Sequence, residues 1–356
     1  MGVADVVICG AGIAGISAAY HLSLRKPSLR ILLVDSGPPL GLTSDKSTEA
    51  YRNWWPGPDG AMVRLMNRSI DLLEELARAT GNAFRLNRRG YLYVTRDPCR
   101  AEGLLRAAEQ TAREGAGPVR RHTGSPGDPP YLPSPPEGFE GLPDGVDAFL
   151  DPGLIRRRFP YLTERAVAVF HVRRCGWLSA HRLGMLLLEQ ARARGVAFRS
   201  ARLVGVEVRG GRVQAVRLSV PGGEETVATG CLVNAAGPFL REVARMMDVE
   251  LPVFCELHRK VMFPDVERVI PRDAPLIIGM DPLPLSWSEE ERDLLEEMGR
   301  SEMLGVLPGG AHLRPEGGPE SPYVLMLWPY AARPVEPVFP LPEDPLFPEV
   351  VLRGLA

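Results

Sequence analysis

Apolar residues near the N-terminus gather into two short unbroken runs, Val6-Val7-Ile8-Cys9 and Ile31-Leu32-Leu33-Val34. Runs without a polar break predict strands buried on both faces, as in a parallel sheet. Residues 16–24 between them are alanine-rich and helical in pattern, so strand, helix and strand succeed one another. This is the unit from which parallel sheets are built. Apolar positions three and four apart predict an amphipathic helix over 62–79. Residues 90–94 read as a strand opening a different layer, and 104–114 as a further helix. From Gly115 to Gly145 the periodicity dissolves into proline, glycine and polar residues, which predicts a surface loop or insertion. Regular pattern returns at Asp151, with a clear helix over 183–194. Strand-like stretches at 202–208 and 213–218 meet at Gly210-Gly211, a hairpin signal. A buried strand over 232–237 ends in small residues. Beyond Pro252 short strands and proline-rich loops alternate, and Ser288 with Glu291 forms a capping box before a helix.

The 356 residues suit about two domains. At 45% hydrophobic and 24% charged the chain can fill a sizeable core. Its net charge of -2 offers no footprint for nucleic acid or anionic lipid, and Arg156-Arg157-Arg158 reads as a solvated face. The five cysteines, Cys9, Cys99, Cys175, Cys231 and Cys255, form no CxxC pair, which predicts free thiols in a reducing compartment and no metal site. The acidic run at 289–291 complements a helix dipole rather than a metal. The chain enters an apolar strand by Val6, leaving no room for a secretory signal, and lacks the roughly 18 apolar residues of a membrane span. A cytoplasmic location is expected.

Gly10-Ala11-Gly12-Ile13-Ala14-Gly15 places GxGxxG between strand and helix. The first glycine permits the tight turn, the second lets a diphosphate approach the backbone, and the third allows close helix–strand packing. The helix N-terminus adds N–H groups and partial positive charge. Asp35 ends the second strand, where its carboxylate can hold ribose hydroxyls and disfavours a 2′-phosphate. A tight turn with Asp35 as a strand-end cap is the bland alternative. Dinucleotide binding is the expectation.

The segment Gly41-Leu42-Thr43-Ser44-Asp45-Lys46-Ser47-Thr48-Glu49, continuing to Trp55, resembles the D-amino-acid oxidase / sarcosine oxidase / glycine oxidase superfamily of FAD-dependent oxidoreductases. The resemblance implies that Thr43, Ser44, Lys46 and Ser47 contact FAD, with Asp35 and Ser36 at its ribose; a helix N-cap cluster before Glu49 is the alternative. Further matches are Asp151-Pro152, Arg158-Phe159-Pro160 and Cys175-Gly176-Trp177-Leu178. Val204 falls where the family's backbone meets adenine. Val233-Asn234-Ala235-Ala236-Gly237-Pro238 matches its strand-to-loop signature beside the cofactor, implicating Ala235, Ala236 and Gly237. The likeness spans residues 5–260. Nothing after Trp328 resembles the family's Gly-Gly-Tyr-like strand and Arg-Pro-x-Ile-Gly-like loop, so the final flavin-side segment is expected to be missing, by nature or by truncation. Asp45 and Lys46 stand where some relatives carry a covalently linked residue, so no flavin attachment is expected there.

The implied fold class is α/β: a Rossmann-like, glutathione-reductase-type FAD domain and an antiparallel-sheet substrate domain. Residues 1–88 and 149–249 are assigned to the first, 89–148 and 250–340 to the second, and 341–356 to a C-terminal stretch. The implied reaction oxidises a carbon–nitrogen bond of an amino acid or a secondary or tertiary amine by hydride transfer to flavin. Oxygen, a quinone or a carrier protein would be the electron acceptor. Such chemistry requires orientation and charge stabilisation rather than a fixed acid–base pair, so no catalytic residue is assigned. Lys46 could place charge near the ring. Arg52, Arg259, Arg314 and Arg333 are candidates for a substrate carboxylate. Trp54, Trp55, Trp328 and Tyr330 could wall a pocket, and His258 and His312 lie in loops of the substrate domain. The competing readings are a non-catalytic FAD-binding subunit or assembly factor, and an NAD-dependent dehydrogenase, which the 233–238 signature disfavours.

Overall fold

The computed structural model describes residues 2–355, which separate into two compact units. The first unit comprises residues 2–49, 179–256 and 334–340. Its centre is a four-stranded parallel sheet in the order Ala197–Ser200, Ile31–Asp35, Val6–Cys9, Leu232–Asn234. The two unbroken apolar runs form its middle strands, whose apolar residues are all buried. The helix Ile13–Arg25 buries Ile16, Ala19 and Tyr20, and packs beside Ala180–Ala193, which buries Leu183, Leu187 and Leu188. The glycine hairpin at Gly210-Gly211 joins Arg202–Arg209 to Arg212–Val220. A third strand, Gly223–Ala228, and the short Gly2–Val3 complete a second four-stranded sheet. Val7, Leu32, Val34, Leu203, Val216 and Val227 share the core between these layers.

The second unit comprises residues 50–178, 257–333 and 341–355. An eight-stranded sheet runs Lys260–Pro264, Tyr323–Leu327, His312–Pro315, Leu276–Gly279, Tyr91–Thr95, Ala168–Val172, Val146–Phe149, Val119–His122. Its pairings are antiparallel except for Leu276–Gly279 with Tyr91–Thr95 and Val119–His122 with Val146–Phe149. The helix Ala61–Ala79 and the capping box at Ser288 form as the sequence predicts. The helix Phe347–Leu355 buries Phe347, Val350 and Val351 in the same core as Trp328.

Three expectations need revision. Residues 50–88 and 149–178 belong with the second unit, not with the first. The strand Ala50–Arg52 pairs with Cys175–Trp177, the Tyr51 hydroxyl donates to the Asn87 carbonyl at 2.7 Å, and Arg174 bonds Asp71 at 2.6 Å. Residues 250–256 and 334–340 lie in the first unit, where Cys255–Glu256 pairs with Pro334–Val335. The stretch 115–145 is not all loop: Val119–His122 adds an edge strand. Its pattern, Val-Arg-Arg-His, has no apolar alternation because Arg120 and His122 turn inward to the buried Asp147, at 2.7 and 2.9 Å.

Candidate functional site: a cavity at the strand ends of the first unit

A cavity of about 410 Å³ opens where the parallel strands end at Cys9 and Asp35. Open α/β sheets place their ligands at this edge, and the size lies within the range of small-molecule sites. Its floor is the turn after Cys9. Gly10 adopts φ +107°, and a Cβ there would stand 2.2 Å from the Ala235 carbonyl oxygen. A Cβ on Gly15 would stand 1.8 Å from the Gly10 carbonyl oxygen. These two glycines are therefore demanded by the protein's own packing. Gly12 differs: it lines the cavity, its φ is an ordinary -74°, and its Cβ would meet only the Ser44 hydroxyl at 3.2 Å. What the missing side chain leaves there is room for a ligand against the backbone, at the N-terminus of the Ile13–Arg25 helix.

Two hydrogen bonds tie the walls to this turn. Asp35 accepts from the Ala11 N–H at 2.7 Å through one oxygen and from the Gly37 N–H at 2.9 Å through the other. Ser44 Oγ accepts from the Ile13 N–H at 3.0 Å, supplying the helix cap that Gly12 has no side chain to provide. Burial, with the Asp35 carboxylate adding to it, pushes the Cys9 thiol up to about 12. The thiol is neutral across ordinary pH and supplies no nucleophile.

Of the sequence-selected residues, Gly10, Gly12, Asp35, Ser36, Thr43, Ser44, Ala235, Ala236 and Gly237 line the cavity. Ala11, Ile13, Ala14 and Gly15 are not in the lining and act through the shape of the turn and helix. Lys46 lies outside it, in an exposed ion pair with Asp45. Ser47 is also outside; its hydroxyl accepts from the Glu49 N–H at 2.9 Å. Val204 is not in the lining either, where its neighbours Ala201, Arg202 and Leu203 stand instead. The Ala201 N–H donates to the Asp35 carbonyl at 2.8 Å, which brings these earlier residues beside the aspartate. Sequence reasoning missed Phe239, Glu242, Val243 and Met246, which follow Gly237 on a 3₁₀ turn and a short helix. Neither is long enough to show a period.

The substrate-contact candidates all lie in the second unit. The Arg52 guanidinium rests 3.9 Å from the Trp55 ring centre, and its Nε donates to the Trp54 carbonyl at 3.2 Å. Trp54 is buried against Tyr93, with ring centres 4.6 Å apart. His312 Nδ1 donates to the Gly310 carbonyl at 2.8 Å. Burial first, with the Arg52 charge adding to it, pushes the His312 pKa below its ordinary value. Arg314 is buried, bonded to Glu316 at 2.7 Å, and lies over Trp177. Arg259 donates to the Pro342 carbonyl at 3.3 Å, and Arg333 is exposed. Trp328 is a core residue whose Nε1 donates to the Pro308 carbonyl at 2.8 Å; Tyr330 packs against it and Phe347. No helix among the described residues is long and apolar enough to cross a membrane.

Comparison with known proteins follows the same line. No curated protein matches the chain in sequence. The fold is similar to L-proline dehydrogenase from P. horikoshii, with TM-score 0.71, 15% identity, and 99% of this chain and 75% of that chain covered. It is similar to glycine oxidase from Geobacillus kaustophilus, with TM-score 0.69, 16% identity, and 99% and 77% covered. A third likeness is iminodiacetate oxidase (IdaA) from Chelativorans sp. BNC1, with TM-score 0.64, 16% identity, and 98% and 77% covered. At such identities these likenesses concern the fold. The model of the DAO family, described as FAD dependent oxidoreductase, matches residues 5–274, three-quarters of the chain and all the strands that frame the cavity. The chain therefore belongs to the DAO family of FAD-dependent oxidoreductases.

Proposed function

We propose that the first unit holds FAD in the 410 Å³ cavity and that the protein oxidises a carbon–nitrogen bond of an amino acid or a related amine. The observation that carries this reading is the opening over Gly12. The chain leaves a Cβ-sized vacancy at a helix N-terminus, with small residues at 235–237 opposite and the Asp35 carboxylate at the rim. A diphosphate suits the helix end, and ribose hydroxyls suit a carboxylate that can still accept further hydrogen bonds. Gly10, Gly12 and Ser44 would face the diphosphate, Asp35 and Ser36 its adenosine ribose, and Thr43 with Ala235, Ala236 and Gly237 the remainder. FAD supplies the hydride-accepting ring when bound.

The second unit would hold the substrate. Arg52 and His258 lie near enough to act on His312, and Trp54 packs on Tyr93, so this region would offer basic and aromatic groups to an amino acid. Of the four arginines Arg52 is the one we assign to a carboxylate, because Arg314 is committed to Glu316, Arg259 donates to the Pro342 carbonyl and Arg333 is exposed. With Nδ1–H committed to the Gly310 carbonyl, Nε2 of a neutral His312 could accept one hydrogen bond without adding charge. The names of the similar structures, proline dehydrogenase, glycine oxidase and iminodiacetate oxidase, support small amines as the substrate class. Visible spectroscopy of the purified protein tests the reading. A flavin spectrum bleached anaerobically by sarcosine, proline or glycine is the expected result. A flavin spectrum that no amine bleaches would favour the non-catalytic subunit, and a colourless protein that binds NADH would overturn the whole reading.

A further inference from the structure

The cavity wall formed by residues 41–44 belongs to a segment held from outside by one helix. Leu40 and Glu49 bracket that segment, and both adopt left-handed backbone, φ 63° and 60°. Non-glycine residues persist there only where their surroundings dictate it. For Leu40 the surroundings are a socket: its side chain, 2% exposed, sits over Gly184 of the Ala180–Ala193 helix. A Cβ on Gly184 would lie 2.6 Å from both Leu40 methyl carbons. For Glu49 they are a hydrogen bond: its Oε1 accepts from the Ala180 N–H at 2.8 Å, at the first turn of the same helix. Ser179 caps the Arg182 N–H, so Glu49 serves a different one of the helix's open donors. Between these two fastenings Ser44 reaches the Ile13 N–H.

We infer that Glu49 and the Leu40–Gly184 socket are positioning elements that fix the 41–48 segment in its FAD-receiving conformation. Neither Glu49 nor Gly184 lines the cavity, so any effect on binding passes through the segment. The inference rests on the cavity being the FAD site. Apoprotein titrated with FAD, followed by flavin fluorescence quenching, tests it, with hydrogen exchange of the 41–48 amides measured alongside. Glu49→Ala is expected to raise the Kd about tenfold, the equivalent of one charge-assisted hydrogen bond. Exchange in 41–48 should quicken while the parallel sheet keeps its protection. Glu49→Gln retains the Oε1 acceptor and should restore the Kd to within about threefold. Gly184→Ala, which displaces Leu40 and leaves Glu49 intact, should weaken binding in the same direction. Wild-type Kd and exchange in Glu49→Ala would overturn the inference alone. A wild-type apoprotein that binds no FAD would overturn the reading of the cavity and the inference with it.

Discussion

The glycines of the turn separate into two kinds, and alanine substitution distinguishes them. At Gly10 a Cβ meets the Ala235 carbonyl oxygen at 2.2 Å, its carbon at 2.6 Å and the Ala236 Cα at 3.0 Å, on backbone at φ +107°. All three atoms are backbone just past the Leu232–Asn234 strand, where the Ala235 N–H still donates to the Cys9 carbonyl at 2.8 Å, so they cannot move without straining the end of the sheet. Overpacking and the positive φ together should destabilise Gly10→Ala by roughly 2–4 kcal/mol. The melting temperature should fall by roughly 5–15 °C. At Gly12 the only close atom is the Ser44 hydroxyl at 3.2 Å, and φ is already suited to alanine. Apoprotein stability should hardly change. FAD affinity should fall about 30- to 700-fold, because a methyl group there keeps the diphosphate off the backbone at the helix N-terminus, worth about 2–4 kcal/mol. Thermal melts of apoprotein and FAD titration of both variants give the four numbers needed. Undiminished FAD affinity in Gly12→Ala, or an unshifted melt in Gly10→Ala, would refute the reasoning.

His171 contributes to the response to acid. Its Nε2–H donates to the Arg89 carbonyl at 3.0 Å, and Nδ1 accepts from Arg173 at 2.8 Å, with the Tyr131 hydroxyl oxygen 3.0 Å from the same nitrogen. Burial, then the Arg173 charge, lowers its pKa to about 3. Below the ordinary value of 6.5 the unfolded chain therefore takes up a proton that the folded chain refuses. Stability is full above that pH and should fall by up to about 1.4 kcal/mol per pH unit towards pH 3; urea melts at pH 7, 6 and 5 should show a shallower slope for His171→Gln, and equal slopes would contradict this. Trp328→Ala should destabilise the second unit by about 3–5 kcal/mol, since the ring is buried and its Nε1–H is bonded to Pro308; a melt unchanged from wild type would exclude that role. Asp35→Ala should lower both FAD affinity and stability, because the Ala11 and Gly37 N–H groups lose their acceptor; loss of FAD affinity at unchanged stability would show that these two bonds contribute nothing to the fold.

What was legible in the sequence was local and periodic. The strand, glycine turn, helix and second strand of residues 6–35 emerge with boundaries within a few residues, because apolar runs and GxGxxG are contiguous signals. The hairpin at Gly210-Gly211 was legible for the same reason. The partition into units was not. Residues 50–88 join the second unit through long-range pairs such as Ala50–Arg52 with Cys175–Trp177, and no local pattern encodes a pairing across more than a hundred residues. Val119–His122 was hidden because its inward positions are an arginine and a histidine that meet Asp147, an inversion of the usual apolar face. The glycine turn and Asp35 could be placed in the cavity, while Glu242 and Met246 could not, since the elements that carry them span only a turn or two.

The structure of the protein crystallised with FAD tests the central claim most directly. Diphosphate oxygens over Gly12, with the adenosine ribose at Asp35, are the expected result. Flavin density elsewhere, with the Gly10–Gly15 turn facing only solvent, would contradict it.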